Sequence, residues 1–118
     1  MAGELNISVT FAFAKANCQS ITEGLSKSVN VAGEYTSKGT QLIGTSDEAV
    51  DLVADLATTG YVLFQNLDPA NFILIGNDGS SYPIKLLPGE IALVRFNGTI
   101  HAKADTAAGK LGFVAISA

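Results

Sequence analysis

The chain has 118 residues, the size of a single domain, and 47% of them are hydrophobic while only 15% are charged. With a net charge of −4 and no run of basic residues, it lacks the clustered Lys and Arg that direct nucleic-acid binding requires. The single cysteine, Cys18, excludes an internal disulfide framework and fits synthesis in a reducing compartment. Because soluble domains usually carry ~25% charged residues, we expect either a polar, uncharged surface or one covered by other copies or a large partner.

The N-terminal segment alternates apolar residues with polar or small ones between Ile7 and Phe13. This period of two predicts a half-buried strand with β-branched and aromatic residues on its inward face. The segment has no basic start and no continuous apolar run, so we expect neither a signal peptide nor a membrane span.

Residues 14–28 are mostly polar and predict a long loop with a short strand near its end. Ile21 and Leu25 are the possible apolar anchors of this loop. The pattern that follows predicts a strand through Val29 and Val31 that ends at Gly33, a turn at Ser37–Gly39 and a strand over Gln41–Thr45.

The segment Thr45–Leu56 has two interpretations. Three consecutive candidate caps at its start, followed by apolar residues three apart, indicate a helical turn. The alternation of Val50, Leu52 and Ala54 indicates an extended strand instead. The neighbouring segments are all strand-like, so we favour the extended form.

The stretch Gly60–Leu87 consists of three short apolar runs separated by two turns. The first turn, Asp68–Asn71, contains a proline and two side chains that stabilise turns. The second, Asn77–Ser81, is a strong loop signal. The runs, which we predict to be strands, are Tyr61–Leu67, Phe72–Gly76 and Tyr82–Leu87, and Pro88-Gly89 closes the last of them.

The C-terminal part predicts three more strands, over Ile91–Phe96, Thr99–Ala104 and Leu111–Ile116. Asn97-Gly98 is a strong signal for a two-residue turn that would join the first two as a hairpin. Turns recur about every ten residues, which is typical of sandwiches and barrels. The sequence therefore predicts one all-β domain over residues 1–118, an antiparallel β-sandwich of jelly-roll or Ig-like type with about seven to nine strands.

Few residues could support catalysis or bind a metal. His101 is the only histidine, whereas a general base needs a nucleophile and an orienting acid, and a zinc site needs further N or S ligands. A catalytic thiol needs a neighbouring base or helix N-terminus, so we interpret Cys18 as a free, partly buried thiol. We interpret His101 as an exposed or interface strand residue, and we expect no enzymatic activity and no cofactor.

Two further groups have a functional and a structural interpretation. The loop Gly76–Ser81 offers oxygen ligands for calcium, but it lacks the regular series of aspartates and the distant glutamate of a calcium loop. We therefore interpret it as a hairpin loop. Arg95 lies in an apolar strand and could bind a ligand, but we expect it to pair with a carboxylate or extend to the surface.

Three segments of the chain form a recognisable set: VLFQNLDPANFILIG (Val62–Gly76), IKLLPGEIALVRF (Ile84–Phe96) and AKADTAAGKLGFVAIS (Ala102–Ser117). In their order and spacing they resemble short virion proteins of tailed bacteriophages. The resemblance covers about half of the protein, residues 60–117, and does not extend to the N-terminal half. It implies a β-sandwich that assembles in many copies on a virion, with Asn66, Asp68 and Asn71 as turn-formers and Pro88-Gly89-Glu90 as a tight turn.

The function expected from this resemblance is a capsid decoration or cement protein that bridges capsid subunits. Its partner would be the major capsid protein, with self-association as a trimer favoured and no contact with nucleic acid or membrane. The protein would be made in the host cytoplasm and end in the virion. The N-terminal strand or the Asn17–Ser28 loop would reach a neighbour.

Two alternatives remain open at this point. One is a neck, tail or baseplate component of the same particles. The other is a module that binds host glycans, which would use exposed aromatic residues near loops. Tyr82 is the best candidate for that role because it follows the loop Gly76–Ser81, ahead of Tyr35 and Tyr61.

Overall fold

The computed structural model describes residues 3–52 and 59–117, and every regular element in them is a β-strand. No helix long and apolar enough to cross a membrane occurs within these ranges. The chain divides into two compact units, Met1–Ala32 and Gly33–Ala118. The prediction of an all-β, sandwich-like fold is confirmed.

The first unit contains two antiparallel strands, β1 (Leu5–Phe13) and β2 (Ile21–Val29), which we call the ribbon. Their register is continuous from the pair Leu5–Val29 to the pair Phe13–Ile21. The prediction of a long loop with a short strand near its end over residues 14–28 is wrong in the length of the strand, because the loop ends before Ile21 and β2 pairs with β1 along its whole length. The strand predicted through Val31 ends at Val29.

The second unit contains eight strands in two four-stranded sheets. The first sheet has the order β3 (Thr36–Ile43), β10 (Gly109–Ser117), β5 (Thr59–Asn66) and β8 (Ile91–Arg95). The second has the order β4 (Glu48–Ala49), β9 (His101–Ala104), β6 (Ile73–Gly76) and β7 (Ile84–Leu86). With the ribbon, the described residues form ten strands, more than the seven to nine expected.

The pairing of these eight strands is nested. The first pairs with the last (β3 with β10), the second with the seventh (β4 with β9), the third with the sixth (β5 with β8) and the fourth with the fifth (β6 with β7), all antiparallel. A long two-stranded hairpin that rolls up in this way, with β10–β5 and β6–β9 closing each sheet, is a jelly roll. Sequence-distant strands therefore lie side by side in both sheets.

The hydrophobic core lies between the two sheets. Alternation along the strands directs every second side chain inward. Most of these inward residues are buried, and Ile84, Ala92 and Val94 are partly buried against them. Phe64 of β5 meets Phe96 edge-on, with ring centroids 6.1 Å apart. The buried hydrophobic residues are Ile43, Val50, Val62, Phe64, Ile73, Ile75, Leu86, Phe96, Ile100, Ala102, Ala104, Leu111, Phe113 and Ala115.

Two local predictions are wrong, and a third is tested only in part. The turn expected at Ser37–Gly39 does not exist, because β3 runs straight through it and pairs with β10. Asn97-Gly98 does not form a hairpin, because β8 and β9 lie in different sheets. Within Thr45–Leu56, the short strand β4 supports the extended interpretation, while residues 53–56 lie outside the described ranges.

Candidate functional site

The ribbon has one apolar face, and much of that face is exposed. Residues directly opposite each other on antiparallel strands point to the same side, so the register places the apolar residues of both strands together. Phe11 is 62% exposed and Leu25 is 68% exposed. The face consists of Leu5, Ile7, Val9, Phe11 and Phe13 from β1 and Ile21, Glu23, Leu25, Lys27 and Val29 from β2.

The opposite face of the ribbon is polar and small. Ser28 Oγ donates a hydrogen bond to Asn6 Oδ1 at 2.8 Å, and the other positions on this side carry only hydroxyl groups, a methyl group or no side chain. They are Ser8, Thr10, Ala12, Thr22, Gly24 and Ser26. One face of the ribbon is therefore apolar and the other polar, which is the pattern of strands that bury one side. In the ribbon, however, the apolar side is exposed.

The open end of the ribbon is held by two side-chain contacts. The backbone N–H of Gly3 donates to Asn30 Oδ1 at 2.8 Å, and the N–H of Val31 donates to Glu4 Oε1 at 3.0 Å. The hydrogen bond from Val31 lowers the pKa of the Glu4 carboxyl, because it stabilises the ionised form. These contacts hold the segment before β1 beside the segment after β2.

The loop at the closed end of the ribbon contains Cys18, which is exposed. Asn17 has a φ of 68°, a left-handed conformation that asparagine tolerates better than most residues. The N–H of Cys18 donates to the carbonyl of Lys15 at 3.1 Å. The prediction of a free thiol is confirmed, but the thiol is exposed and not partly buried.

A second exposed apolar area lies on the solvent side of the sheet β3-β10-β5-β8, which we call the outer face. Its centre is a row across three strands, in which Val114 lies opposite Leu63 and Leu63 lies opposite Leu93. Leu63 is 44% exposed and Leu93 is 39% exposed. A shallow depression of about 250 Å³ lies beside this row, where Gly112 places no side chain on the outer face.

The charges of the outer face are all positive. Lys38, Lys110 and Arg95 occupy outward positions on its strands, and no Asp or Glu does so among the described residues. The Arg95 guanidinium lies over the ring of Tyr61, 5.5 Å from its centroid, so its observed partner is an aromatic ring and not a carboxylate. The outer face therefore suits a partner that is apolar at its centre and acidic at its rim.

A polar cluster joins the loop before β4, the loop between β6 and β7, and strand β9. The Asp47 carboxylate accepts a hydrogen bond from the Tyr82 hydroxyl and lies 3.0 Å from His101 Nδ1. Lys103 Nζ lies over the Tyr82 ring at 4.9 Å. The hydrogen bond to Asp47 raises the pKa of Tyr82 to about 12, and the same bond lowers the pKa of Asp47.

This cluster was not expected from the sequence, because its members are far apart in the chain. Asp47 and His101 are separated by 54 residues, and no local pattern links them. The Tyr82 hydroxyl and ring are both engaged within the chain, which leaves less of this residue for a glycan. No group of three or more His, Cys, Asp or Glu residues among the described ones could hold a metal ion.

The predicted turn-formers Asn66, Asp68 and Asn71 come together where the chain leaves β5. Asn66 is fully buried, and its Nδ2 donates to the carbonyls of Asn71 and Leu86, each at 2.9 Å. Its Oδ1 accepts the N–H of Asp68 at 2.9 Å. The Asp68 carboxylate accepts the N–H groups of Asn71 and Ala70, which lowers its pKa.

The predicted tight turn at Pro88-Gly89-Glu90 is present. Gly89 has a φ of +83°, and the N–H of Glu90 donates to the carbonyl of Leu87 at 3.0 Å, as in a type II turn. Glu90 Oε1 also accepts the N–H of Leu87 at 2.8 Å. At Asn97-Gly98 only Gly98 has a positive φ, of +96°, whereas the type I′ hairpin turn needs one at both central residues.

The loop after β6 satisfies its own polar groups. Asp78 Oδ1 accepts the N–H groups of Ser80 and Ser81 at 2.8 and 2.7 Å, which lowers the pKa of this carboxyl. A Cβ at Gly76 would collide with the backbone oxygen of Ser81, so this position requires glycine. These contacts support the interpretation as a hairpin loop between β6 and β7.

Comparison with known proteins identifies no relative. No family model, no curated protein and no solved structure matches this chain. The resemblance to virion proteins therefore stays a prediction, and the two exposed apolar faces are the strongest functional features of the described structure.

Proposed function

We propose that this protein is a non-catalytic structural component of a bacteriophage virion, a decoration or cement protein that stabilises the head by bridging capsid subunits. The observation that carries this proposal is the exposed apolar face of the ribbon. Phe11 and Leu25 on this face are more than half exposed, and Val9, Phe13 and Ile21 are between 42% and 45% exposed. Exposed apolar surface of this kind marks sites of association.

The energetics of the ribbon support a role in assembly. A two-stranded hairpin alone is marginally stable in water, and every member of the buried hydrophobic core lies in the second unit. A partner that covers the apolar side of the ribbon would therefore stabilise it. A sandwich that exposes such a ribbon can bury additional surface between neighbours on a shell, and this contact repeats with every copy.

The fold is compatible with this role but does not select it. Jelly rolls occur in viral capsid proteins, in lectins and in other classes, and a fold by itself does not establish a function. The low charge of the chain, 15% of residues, also favours a protein whose surface is largely covered in use.

Purified virions provide the direct test. Particles of the phage that encodes this protein should contain it in copy numbers of the order of the major capsid protein, and particles that lack it should release DNA at lower temperature or after chelation. A copy number of one small ring would assign the protein to the neck, tail or baseplate instead. Absence from purified particles would refute a virion role.

A matched pair of variants connects this test to the ribbon. Phe11→Ser removes an exposed aromatic side chain from the apolar face, while Thr10→Ala changes the adjacent residue on the polar face. Particles complemented with the Phe11 variant should be less heat-resistant than those with the Thr10 variant. Equal resistance would remove the ribbon face from the mechanism.

A further inference from the structure

The two charges on the apolar face of the ribbon are arranged symmetrically. The middle pair of the register is Val9 opposite Leu25. On β2, Glu23 lies two residues to one side of Leu25 and Lys27 lies two residues to the other side. The remaining positions of this face are apolar, so the face carries one negative and one positive group at equal distances from its centre.

Neither charge has a partner among the residues that the structure describes. Lys27 lies four residue steps along the strand from Glu23, a distance of about 14 Å. Neither side chain makes a hydrogen bond or ion pair with another described residue. If an uncharged apolar surface covered this face, both charges would lose water without compensation, which is costly. The favourable partner therefore presents a positive group opposite Glu23 and a negative group opposite Lys27.

The same face of a second copy meets this requirement. Consider two ribbons packed face to face about a two-fold axis that passes between them at the level of Leu25 and perpendicular to the strands. This operation reverses the direction of each strand, so Glu23 of one copy lies opposite Lys27 of the other, twice per contact. Phe11 of one copy then lies opposite Ile7 of the other, and Phe13 opposite Leu5.

From this arrangement we infer that the ribbon is a self-complementary interface, which pairs with the ribbon of a second copy through its apolar face. Face-to-face sheets pack about 10 Å apart, a gap that an extended Glu and an extended Lys can bridge together. An isologous contact of this type uses one surface on both copies. The inference does not depend on a virion role, because the ribbons can pair in solution whatever the larger assembly is.

The size of the ribbon limits the strength of this contact. Two nine-residue strands cover a footprint of roughly 30 by 10 Å, or about 300 Å² per copy. A standard stable interface buries about 800 Å² per partner. We therefore expect a weak, concentration-dependent association of the isolated protein, which becomes effective where many copies are held close together.

Charge reversal tests the pairing directly on the full chain. Glu23→Lys places Lys opposite Lys27 of the second copy, and Lys27→Glu places Glu opposite Glu23, so each variant alone faces like charges. At a concentration where the wild type is associated, light scattering should give each single variant half the wild-type mass. An equimolar mixture of the two variants brings opposite charges together again and should restore the wild-type mass.

The controls separate this effect from misfolding and from an effect of charge alone. Ser26→Glu adds a carboxylate on the opposite face of the same strand, and it should leave the mass unchanged. Both charge-reversal positions are exposed, so the circular dichroism spectra should match that of the wild type. Three results would each overturn the inference: a wild type that stays unassociated up to about 1 mM, single variants with wild-type mass, or a mixture that does not recover.

Discussion

At the scale of single residues, the side chain of Asn66 holds three backbone groups where the chain passes from β5 in one sheet to β6 in the other. It is fully buried, and the described structure leaves no buried side-chain nitrogen or oxygen without a partner. A buried amide with all its bonds formed stabilises the fold mainly because its loss leaves other groups unpaired. Asn66 therefore stabilises the fold through the two carbonyls and the one N–H group that it satisfies.

Asn66→Ala should lower the free energy of unfolding by about 2–4 kcal/mol, since it leaves the carbonyls of Asn71 and Leu86 without their donor. Urea denaturation followed by circular dichroism measures this change. Asn97→Ala is the matched control, because Asn97 is exposed, and it should change stability by less than about 0.5 kcal/mol. Equal effects of the two variants would contradict the role assigned to Asn66.

Because Asp47 and Tyr82 share a hydrogen bond, we expect the stability of the protein to depend on pH. The folded protein holds the Tyr82 proton up to a pKa of about 12, against an ordinary value of 10.0. Because the folded pKa is the higher one, the stabilisation from this bond is complete below pH 10 and is lost as the pH rises towards 12. The pKa of Asp47 is lowered instead, so its contribution is present above the ordinary value of 3.8 and is lost as the pH falls through its folded pKa.

Absorbance of the phenolate group measures this effect. The difference between the titrations of the wild type and Tyr82→Phe isolates Tyr82, and its midpoint should lie near 12. Asp47→Asn should move that midpoint towards 10.0, because the carboxylate that retains the proton is gone. Asp105→Asn removes an exposed carboxylate elsewhere and should leave it unchanged. A Tyr82 midpoint that does not respond to Asp47→Asn would show that the bond does not form in solution.

The sequence identifies some of these residues and not others, for a physical reason. Asp68, Gly89 and the bonds of Asn66 to Asp68 and Asn71 involve backbone groups within a few residues, so local turn chemistry was sufficient to predict them as turn residues. The bond from Asn66 to the carbonyl of Leu86 spans 20 residues and was not predictable in this way. The contact between Asp47 and His101 spans 54 residues and exists because of strand order. A property of the tertiary fold leaves no local pattern in the chain.

At the scale of elements, β1 was predicted and most of β2 was missed. The alternation in β1 is uninterrupted from Ile7 to Phe13, whereas in β2 the apolar series is broken by Glu23 and Lys27 on the same face. Because of those two charges, most of the segment was predicted to be a polar loop and not a strand. If the ribbon pairs with a second copy, they are the residues that select its partner.

The hairpin predicted at Asn97-Gly98 is wrong for a different reason. The dipeptide does bend the chain, at Gly98, but the strands on either side belong to different sheets. In a jelly roll the successive strands of each half of the rolled hairpin alternate between the sheets. Turn chemistry predicts where the chain bends, and long-range pairing decides which strands meet.

Because the chain divides into two units, we expect the second unit to fold without the first. A shortened chain that begins at Gly33 should unfold cooperatively, within about 1 kcal/mol of the full chain, because the whole buried hydrophobic core lies in the second unit. The matched truncation ends at Ala108 and removes β10, which pairs with both β3 and β5. That second chain should not fold, and circular dichroism with urea distinguishes the two results. Loss of folding in the first truncation would show that the ribbon is part of the core structure.

At the scale of the whole molecule, two exposed apolar faces differ in their charge. The ribbon face carries one charge of each sign and is complementary to itself, whereas the outer face carries only Lys38, Lys110 and Arg95. The full chain has a net charge of −4, so these cations are concentrated against the overall balance. A second copy would be complementary to the ribbon face, and under the proposed function an acidic capsid surface would be complementary to the outer face.

Under the proposed function, these two faces make different contributions to binding on a capsid. Leu63→Glu places a carboxylate in the central apolar row of the outer face, and it should weaken binding to empty capsids at least tenfold at every concentration, about 1.4 kcal/mol or more. Glu23→Lys disrupts only the contact between copies. It should leave binding at low occupancy unchanged and make the binding curve less steep, because bound neighbours no longer assist each other.

Co-sedimentation with empty capsids over a range of protein concentrations measures both effects, and Asn77→Glu, in the exposed loop after β6, controls for added negative charge. Wild-type binding by the Leu63 variant would exclude the outer face from the capsid contact. If Glu23→Lys weakened binding equally at all occupancies, the ribbon would contact the capsid protein and not a second copy. The two variants therefore test the two surfaces independently, since one changes the affinity of a single copy and the other changes only how copies respond to each other.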